Sequence, residues 1–353
     1  MRIAIDCRLF GNSGIGTFIQ NIVEYLVTQK EISILLIGRN KDLLCYKNSP
    51  NIEFQECNIK PFSLKEIFLF PTKTINKCDA FFTPYINIPL GINIPIFSTI
   101  HDTIFFDLKE LTSPIGRYFR WLFYINTCKK SKIIFTVSQF SKERIIHHFH
   151  PKVPIKIVCN GIAKPIKEHQ IAQVTKKNYL LYVGNIKQHK GLKTLIEAYQ
   201  LAKENGFNKK LMIVGEYQNF KTTDNNFQYF LEKDKENIIF TGRLTDIELI
   251  KKIKEAQTLI LPSLYEGFGI PPMEALYLGT DAIVSDIPAL KEIYMKLPVT
   301  FFQAGNVKDL ANKLIGHKQN TIADFNIARK EIDNKYNFKL TANDILKTIK
   351  DNL

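Results

Sequence analysis

The chain has 353 residues, of which 45% are hydrophobic, and this is enough for two α/β domains, each with its own core. The six cysteines are scattered without C-x2-C spacing, so they indicate neither a zinc cage nor a thioredoxin motif and favour a reducing compartment. Met1 leads directly into an apolar strand, and no apolar run reaches the roughly 18 residues that a membrane span needs. The sequence therefore predicts a cytoplasmic protein without a signal peptide, whose membrane contact can only be peripheral.

The net charge of +14 is unevenly distributed along the chain. Residues 1–164 contain 21 Lys and Arg against 12 Asp and Glu, and the remainder contains 27 against 22. A basic first half is attracted to the anionic cytoplasmic leaflet, by about 1 kcal/mol for each basic side chain near it. A basic chain is also one mark of nucleic-acid binding, but the sequence contains no ribonucleoprotein motif, zinc finger or basic helical stripe.

Six strand-like runs alternate with helical patterns in the first half, as in a parallel sheet that helices cover on both faces. These runs lie at residues 2–6, 32–37, 79–83, 95–100, 132–137 and 155–158. After the first run, the sequence Gly-Asn-Ser-Gly-Ile-Gly at 11–16 forms a glycine turn that includes Gly14 and Gly16. The turn lacks the full G-x-G-x-x-G and a downstream ribose acid, so it does not by itself predict a dinucleotide site.

Further candidates follow later strands of the first half. His101 and Asp102 come directly after the run at 95–100, where a strand end can present a side chain to a ligand. A histidine at a strand end is also a common structural residue, and both interpretations stay open. Ser138 suits the N-cap of the next helix, on which Arg144 is a candidate for ligand contact.

The segment at 116–124 combines the only tryptophan with aromatic and basic residues, and a basic run follows at 129–132. This composition is typical of a helix at a membrane interface. A helix that packs on its own sheet would show similar aromatic periodicity. The sequence does not decide between these two interpretations.

A second series of strand-like runs follows a polar, lysine-rich stretch. These runs lie at residues 179–183, 211–214, 238–240, 258–261, 282–284 and 299–302. We therefore predict a first domain over 1–164, a linker over 165–177, a second domain over 178–335 and a C-terminal helix over 336–353.

The loop after the first strand of the second series contains Gly184, Asn185, His189 and Lys190, and a helix is predicted over 192–200. A flexible ammonium at a helix entrance suits a diphosphate whose charge grows as a leaving group departs. A surface lysine before a helix is otherwise commonplace. Arg243, in the run Thr-Gly-Arg-Leu at 241–244, is a candidate for a second cation.

Two carboxylates, Glu266 and Glu274, enclose a glycine loop that leads into a predicted helix starting at the prolines 271 and 272. A helix N-terminus and a glycine backbone attract an anion, whereas carboxylates are good acceptors for sugar hydroxyls. This pattern therefore indicates a nucleotide-sugar site. The alternative is a turn whose glutamates merely favour the helix dipole.

These loops, in this order, resemble those of the retaining glycosyltransferases of family 4, which have the GT-B fold: two Rossmann-like, doubly wound α/β domains that face each other across a cleft. The run at 266–274 is similar to the E-x7-E signature of the family, and the loop at 184–190 resembles its donor-phosphate loop. Many relatives have an arginine in that loop, where this chain has Asn185 and His189.

The resemblance implies a role for each candidate residue. Lys190 would stabilise the departing diphosphate, Glu266 would hold the hexose, and Glu274 would bind the ribose. His101 would contact the hexose or the acceptor, and the C-terminal helix would return to the first domain. The other implied contacts to donor or acceptor are Gly14, Gly16, Asp102, Arg144, Gly184, Asn185, His189, Arg243, Gly267, Phe268, Gly269 and Ile270. No D-x-D pair follows a strand, so we expect transfer without a metal or other cofactor.

Within the family, the chain looks most similar to the bacterial mannosyl- and rhamnosyltransferases that build surface polysaccharides such as lipopolysaccharide O-antigen and capsule. The likeness lies in Pro84-Tyr85, His101-Asp102 and the Gly-Asn-x3-His-Lys loop. It implies a hexosyltransferase that uses GDP-mannose, with UDP- and dTDP-sugars still open. The acceptor would be a lipid-linked or oligosaccharide glycan at the inner face of the cytoplasmic membrane. The alternatives are a sugar-nucleotide-binding or epimerase relative of the same fold and a basic nucleic-acid-binding protein.

Overall fold

The computed structural model describes the chain except residues 12, 62, 169–173, 216–233 and 235, and the side chains of residues 13 and 64. The described residues form two compact units. Unit 1 comprises residues 1–161 and 336–353, and unit 2 comprises residues 162–335. Asn12 of the glycine turn and the middle of the predicted linker lie outside the described residues, and a short helix occupies the start of that linker.

The described part of unit 1 contains a seven-stranded parallel sheet in the order β3-β2-β1-β4-β5-β6-β7. Its strands are β1 (Arg2–Asp6), β2 (Ser33–Gly38), β3 (Ile52–Glu56), β4 (Ala80–Thr83), β5 (Ile96–Thr99), β6 (Ile133–Thr136) and β7 (Ile155–Ile157). Its first helices are α1 (Ser13–Leu26), α2 (Asn40–Leu43), α3 (Leu64–Leu69), α4 (Thr72–Ile75), α5 (Ile104–Asp107), α6 (Pro114–Lys130) and α7 (Gln139–Phe149). Short 3-10 helices span Leu44–Tyr46 and Lys109–Leu111.

The described part of unit 2 contains a six-stranded parallel sheet in the order β10-β9-β8-β11-β12-β13. Its strands are β8 (Tyr179–Val183), β9 (Lys210–Val214), β10 (Ile238–Gly242), β11 (Thr258–Leu261), β12 (Asp281–Ser285) and β13 (Thr300–Phe302). Its helices are α8 (Lys164–Glu168), α9 (Leu192–Glu204), α10 (Asp246–Glu255), α11 (Pro271–Tyr277), α12 (Pro288–Tyr294), α13 (Val307–Gly316) and α14 (Ile322–Lys335). A 3-10 turn, Gln188–Lys190, precedes α9.

The last helix, α15 (Phe338–Lys350), belongs to unit 1 and packs against α1. Its apolar side is buried in the core of that unit through Phe338, Ala342, Ile345, Leu346 and Ile349. These residues recur at the spacing of one helix face, so the amphipathic pattern accounts for the docking.

The predicted strands are confirmed within two residues at each end, with one omission. The sequence predicts no strand at β3, because its polar composition gives little apolar signal. In the structure, none of the β3 residues is buried. This strand lies at the edge of the sheet formed by the described strands, where it pairs with β2. Edge strands of this kind resemble loops in composition.

Both sheets reverse their strand order at one point, between β1 and β4 in unit 1 and between β8 and β11 in unit 2. At such a point, the loops that leave the carboxyl ends of the two neighbouring strands run in opposite directions. A crevice opens between these loops. In unit 2 these connections are the loop with Lys190 and the loop with Glu266. Within the described ranges, no helix is both long enough and apolar enough to span a membrane.

Gly191 allows the two unit 2 loops to approach each other. Its φ is +67°, and a Cβ atom on it would lie 1.9 Å from the carbonyl oxygen of Pro262. Because both the backbone conformation and the space exclude a side chain, glycine is required here.

We predict that Gly191→Ala lowers the free energy of unfolding by about 3 kcal/mol, from left-handed strain plus overpacking. Gly206→Ala is the matched control, because Gly206 has φ +86° and open space around its Cβ position. The control should lose only the strain, about 1 kcal/mol. Urea unfolding of both variants measures the difference, and equal losses would contradict the close approach at Pro262.

Candidate functional site

The centre of the candidate site is an ion pair between the two loops at the unit 2 switch point. Lys190 Nζ lies 2.7 Å from Glu266 Oε1 and 2.8 Å from Oε2, so one ammonium binds both carboxylate oxygens. The two side chains are 25% and 10% exposed. The pair is therefore partly shielded but open on one side to a ligand.

Two further contacts fix the geometry of the pair. Ser263 Oγ donates to Glu266 Oε1 at 2.8 Å and so orients the carboxylate. The backbone N–H of Leu264 donates to the carbonyl of His189 at 2.8 Å and links the two loops directly. Ser263 is a functional candidate that the sequence analysis did not identify, because a serine three residues before a glutamate is not a distinctive motif.

The glycine loop after Glu266 is shaped by the packing of unit 2. Gly269 has φ +81°, and a Cβ atom there would lie 2.5 Å from Leu290 Cδ2 and 3.1 Å from Leu261 Cδ2. Gly269 is one of the contacts to donor or acceptor implied by the resemblance, but contacts within the unit already require a glycine here. Phe268 is buried, while Gly267 and Ile270 are half-buried beside it.

Tyr294, the last residue of α12, holds this loop in place. Its hydroxyl donates to the carbonyl of Gly269 and accepts from the N–H of Met273 at 3.1 Å. The side chain is fully buried. A tyrosine 25 residues from the glycine carries no local sequence signal for this role, so only the fold reveals it.

Glu274 lies in the first turn of α11, as predicted, and two prolines begin that helix. Its half-buried carboxylate makes no hydrogen bond or ion pair with another described residue. Burial, with a smaller contribution from Asp246, raises its pKa from 4.5 to about 7. When ionised, this carboxylate lacks hydrogen-bond donors among the described residues, and a hydroxyl of a bound ligand could supply them.

The remaining donor-side candidates surround the same edge of the sheet. Gly184 continues the ladder from β8 to β9 through its N–H, and Asn185 next to it is exposed. His189 is half-buried, and burial, with Lys190 beside it, lowers its pKa to about 4, so its ring is neutral at pH 7. Arg243 is exposed at the end of β10, two strands away from β8.

His101 lies at the corresponding edge of the unit 1 sheet, after β5. Its Nε2 lies 2.9 Å from the carbonyl oxygen of Pro84, and its ring packs edge to face on Phe18 with centroids 5.0 Å apart. A carbonyl only accepts, so Nε2 carries the proton and Nδ1 is left as an acceptor. Burial lowers the pKa of His101 to about 4, which keeps the ring neutral at pH 7.

The structure gives Asp102 and Arg144 local partners. Asp102 Oδ1 accepts from the N–H of Ile104 at 3.1 Å, at the start of α5. Arg144 Nε donates to Asp107 Oδ1 at 2.7 Å, and the same guanidinium lies 3.0 Å from His148 Nε2. The N-cap role predicted for Ser138 on α7 is confirmed.

The two glycines in the first turn of α1 differ in their surroundings. A Cβ atom on Gly16 would lie 2.2 Å from the carbonyl oxygen of Leu9, so the turn itself requires a glycine. No atom lies within 4 Å of the Cβ position of Gly14, which is exposed. Of the two, only Gly14 leaves open space toward solvent.

A buried charge cluster at the end of β1 has no counterpart in the sequence analysis. Arg8 donates to Asp6 through Nε at 2.9 Å and reaches Glu66 Oε1 at 2.5 Å. The hydroxyl oxygen of Tyr85 lies 3.0 Å from Asp6 Oδ2 and 3.0 Å from Glu66 Oε1, so its one proton is shared between the two carboxylates. All four side chains are buried. Because they come from three separate segments, no sequence spacing signals the cluster.

Two family models match the chain. Residues 74–163 match the model described as Glycosyltransferase Family 4, and residues 164–333 match the model described as Glycosyl transferases group 1. The chain therefore belongs to the glycosyltransferase family that these two models describe. The relationship predicted from the loops is therefore confirmed.

Curated relatives include two enzymes of O-antigen synthesis. The chain is 29% identical to O-antigen chain mannosyltransferase B of Escherichia coli over 46% of its length and 45% of the relative. It is 30% identical to O-antigen chain mannosyltransferase RfbU of Salmonella typhimurium, over 50% of its length and 48% of the relative. The chain thus matches about half the length of these relatives.

Solved glycosyltransferase structures share the fold along nearly the whole chain. Sucrose-phosphate synthase from Thermosynechococcus elongatus has a TM-score of 0.74 at 16% identity, and 99% and 98% of the two chains are covered. The Anabaena HepE protein in complex with UDP and glucose has a TM-score of 0.75 at 15% identity, with 99% and 100% covered. The predicted fold class, GT-B with two parallel-sheet α/β domains, is confirmed.

We predict that Tyr294→Phe weakens nucleotide binding, because the Gly269 carbonyl loses its buried donor and the loop loosens. The loss of the hydrogen bond should also lower the free energy of unfolding by about 1–2 kcal/mol. Tyr199→Phe is the matched control: Tyr199 is also fully buried in unit 2, and its hydroxyl donates to the Lys209 carbonyl at 2.8 Å. Calorimetric titration should show reduced nucleotide affinity only for Tyr294→Phe, and an equal reduction in both would contradict the positioning role.

We predict that Glu274→Gln stabilises the ligand-free protein at pH 8 and weakens nucleotide binding. The folded state binds the Glu274 proton more tightly than the unfolded state, so this stabilising contribution is present below pH 4.5 and is lost as the pH rises through about 7. A gain of about 1 kcal/mol at pH 8 corresponds to a rise in Tm of about 2–4 °C.

Melting curves at pH 5 and pH 8 test the Glu274 prediction, with Glu292→Gln as the control, since Glu292 is exposed on α12. The gain for Glu274→Gln should be larger at pH 8 than at pH 5. A gain that is the same at both values would mean that ionisation of Glu274 is not the cause.

Proposed function

We propose that unit 2 binds a nucleoside-diphosphate sugar and that the protein transfers its hexose with retention of the anomeric configuration. The observation that carries this proposal is the ion pair of Lys190 with Glu266 at the switch point of the unit 2 sheet. Ligands of open α/β sheets bind at such points, outside the carboxyl ends of the strands. Membership of a glycosyltransferase family supports the same reaction.

Lys190 has the capacity to bind a phosphate oxygen without leaving Glu266. An ammonium has three N–H donors, and the carboxylate of Glu266 accepts two of them. The third can donate to the diphosphate on the exposed side of the pair. As the bond from the sugar to the phosphate breaks, negative charge grows on the diphosphate, and the Lys190 charge stabilises it.

The two glutamates bind the two sugars of the donor. Glu274 accepts hydrogen bonds from the ribose hydroxyls, which supply the donors that its half-buried carboxylate lacks among the described residues. Glu266, held by Ser263 and Lys190, accepts from a hydroxyl of the hexose. The backbone of Gly267 to Ile270 lies between them at the start of α11 and completes the hexose contacts.

The acceptor hydroxyl attacks the anomeric carbon from the face that the diphosphate leaves. The new bond to the acceptor oxygen forms as the bond to the phosphate breaks, and the leaving phosphate oxygen takes the acceptor proton. This step needs neither a protein base nor a metal ion in our proposal, because the Lys190 charge offsets the charge of the leaving diphosphate.

The donor is GDP-mannose in this proposal, because several curated relatives are named mannosyltransferases of O-antigen synthesis. UDP-glucose is the rival donor, since the Anabaena protein of similar fold was solved with UDP and glucose. The acceptor is a lipid-linked glycan of a surface polysaccharide, reached from the inner face of the cytoplasmic membrane.

We predict that Lys190→Ala lowers the rate of hexose transfer by about 100-fold, through loss of one charge stabiliser. Lys193→Ala is the matched control, because Lys193 lies three residues further on, at the start of α9, and pairs with Glu197. Single-turnover transfer from labelled GDP-mannose, UDP-glucose and dTDP-sugars to a lipid-linked acceptor extract measures the rate. Full turnover by Lys190→Ala would overturn the proposed role.

A second experiment, on ligand binding, tests the donor base and the metal. Thermal stabilisation by GDP, UDP and dTDP, with and without a chelator, should single out GDP and should be unaffected by the chelator. Stabilisation by UDP alone would replace the proposed donor, and a requirement for a divalent ion would contradict the metal-free step. Absence of any response to the three nucleotides would overturn the donor site itself.

A further inference from the structure

Helix α6 of unit 1 presents an apolar stripe to solvent. Ile115 is 72% exposed, Tyr118 58%, Phe119 57% and Leu122 41%, and their spacing of three and four residues places them on one helix face. The opposite face is buried through Tyr124, Thr127 and Cys128. Packing on the sheet therefore accounts for one side of α6 and leaves the aromatic side without a partner among the described residues of unit 1.

The only tryptophan of the chain lies beside this stripe. Trp121 is 39% exposed, and its ring stacks on that of Tyr118 with centroids 6.1 Å apart and an interplanar angle of 18°. Tyrosine and tryptophan combine an apolar ring with a polar group, which suits the boundary between hydrocarbon and water.

The charge of α6 is entirely basic. The helix contains Arg117, Arg120, Lys129 and Lys130 and no acidic residue. Lys129 and Lys130 are exposed, and they follow Ile115 by 14 and 15 residues, about four helical turns, on the same outward face. A helix face with exposed aromatic and basic side chains and no carboxylate of its own is complementary to negatively charged lipid headgroups.

A second apolar group is connected to α6 through the segment after β4. Phe68 is 74% and Leu69 64% exposed at the end of α3, and Leu90 is 50% exposed. The N–H of Leu90 donates to the carbonyl of Ile67, and the side chain of Asn126 on α6 donates to the carbonyl of Ile88. The segment after β4 thus contacts both α3 and α6, the two helices with exposed apolar side chains.

We propose that the outward face of α6 docks unit 1 on an anionic lipid bilayer, with Tyr118, Phe119 and Leu122 entering the interface and Lys129 and Lys130 binding headgroups. This docking rests on the proposed function in one respect: docking would bring the protein to a lipid-linked acceptor. A helix that follows a parallel strand begins at the carboxyl edge of the sheet. The aromatic half of α6 therefore lies near the sheet edge with His101 and Gly14.

Fluorescence of Trp121 tests the docking directly, because no other tryptophan contributes to the signal. Titration with vesicles of phosphatidylglycerol and phosphatidylcholine should shift the emission to the blue and protect it from aqueous quencher. Vesicles of phosphatidylcholine alone should produce neither change. An equal response to both vesicle types would overturn the anionic surface as the partner.

Two sets of substitutions keep Trp121 as the probe. Tyr118→Ser with Phe119→Ser and Leu122→Ser should abolish vesicle co-sedimentation. Lys129→Gln with Lys130→Gln should weaken the affinity about fivefold for each charge removed. The control is Ile247→Ser with Met295→Ser, two apolar residues of unit 2 that are 69% and 65% exposed. Its vesicle affinity should match that of the unchanged protein, and a comparable loss would contradict a specific role of α6.

Stabilisation by GDP or UDP in solution separates this proposal from the proposed function. The α6 variants should keep the nucleotide response of the unchanged protein while they lose vesicle binding. A protein that responds to nucleotide but ignores all vesicles would overturn the docking and leave the donor site in place. A dimer that dissociates in the triple serine variant, without vesicle binding, would assign the face to a second copy of the chain instead.

Discussion

The contact between Gly191 and the carbonyl of Pro262 is the constraint on which the candidate site depends. It lets the connections after β8 and β11 approach until Lys190 and Glu266 form a bidentate ion pair. The backbone bond from Leu264 to His189 then holds the loops at that distance. A side chain at position 191 would separate the loops. The ion pair of Lys190 with Glu266, which are 76 residues apart, therefore requires glycine at position 191.

Local features of this site were predictable, whereas its pairwise contacts were not. A strand, a glycine loop and prolines at a helix start are neighbours in sequence, and they correctly predict where Glu274 lies in α11. The ion pair requires knowledge that β8 and β11 are adjacent, which no sequence spacing contains. The same limit applies to Tyr294 and to the cluster of Arg8 with Glu66, since their partners come from distant segments.

The pattern of α6 shows a different limit, because its composition fits two environments. Aromatic residues at helical spacing predict a buried face, and Tyr124 and Cys128 do form one. The second stripe, through Tyr118 and Leu122, has the same spacing but points to solvent. Periodicity identifies two faces on one helix, and only the position of the sheet decides which of them is covered.

The switch points of the two sheets have the same topology, but the basic side chains near them, Arg8 and Lys190, have different partners. In unit 1, Arg8 is enclosed by Asp6, Glu66 and Tyr85, and its charge is neutralised inside the protein. In unit 2, Lys190 keeps an N–H for a further acceptor, and Glu274 has no partner among the described residues. A satisfied buried cluster stabilises a scaffold, whereas a carboxylate whose pKa is raised to about 7 costs stability that a ligand can restore. Lys190 and Glu274 therefore support the proposal that unit 2 binds the charged donor, whereas Arg8 has no such capacity left.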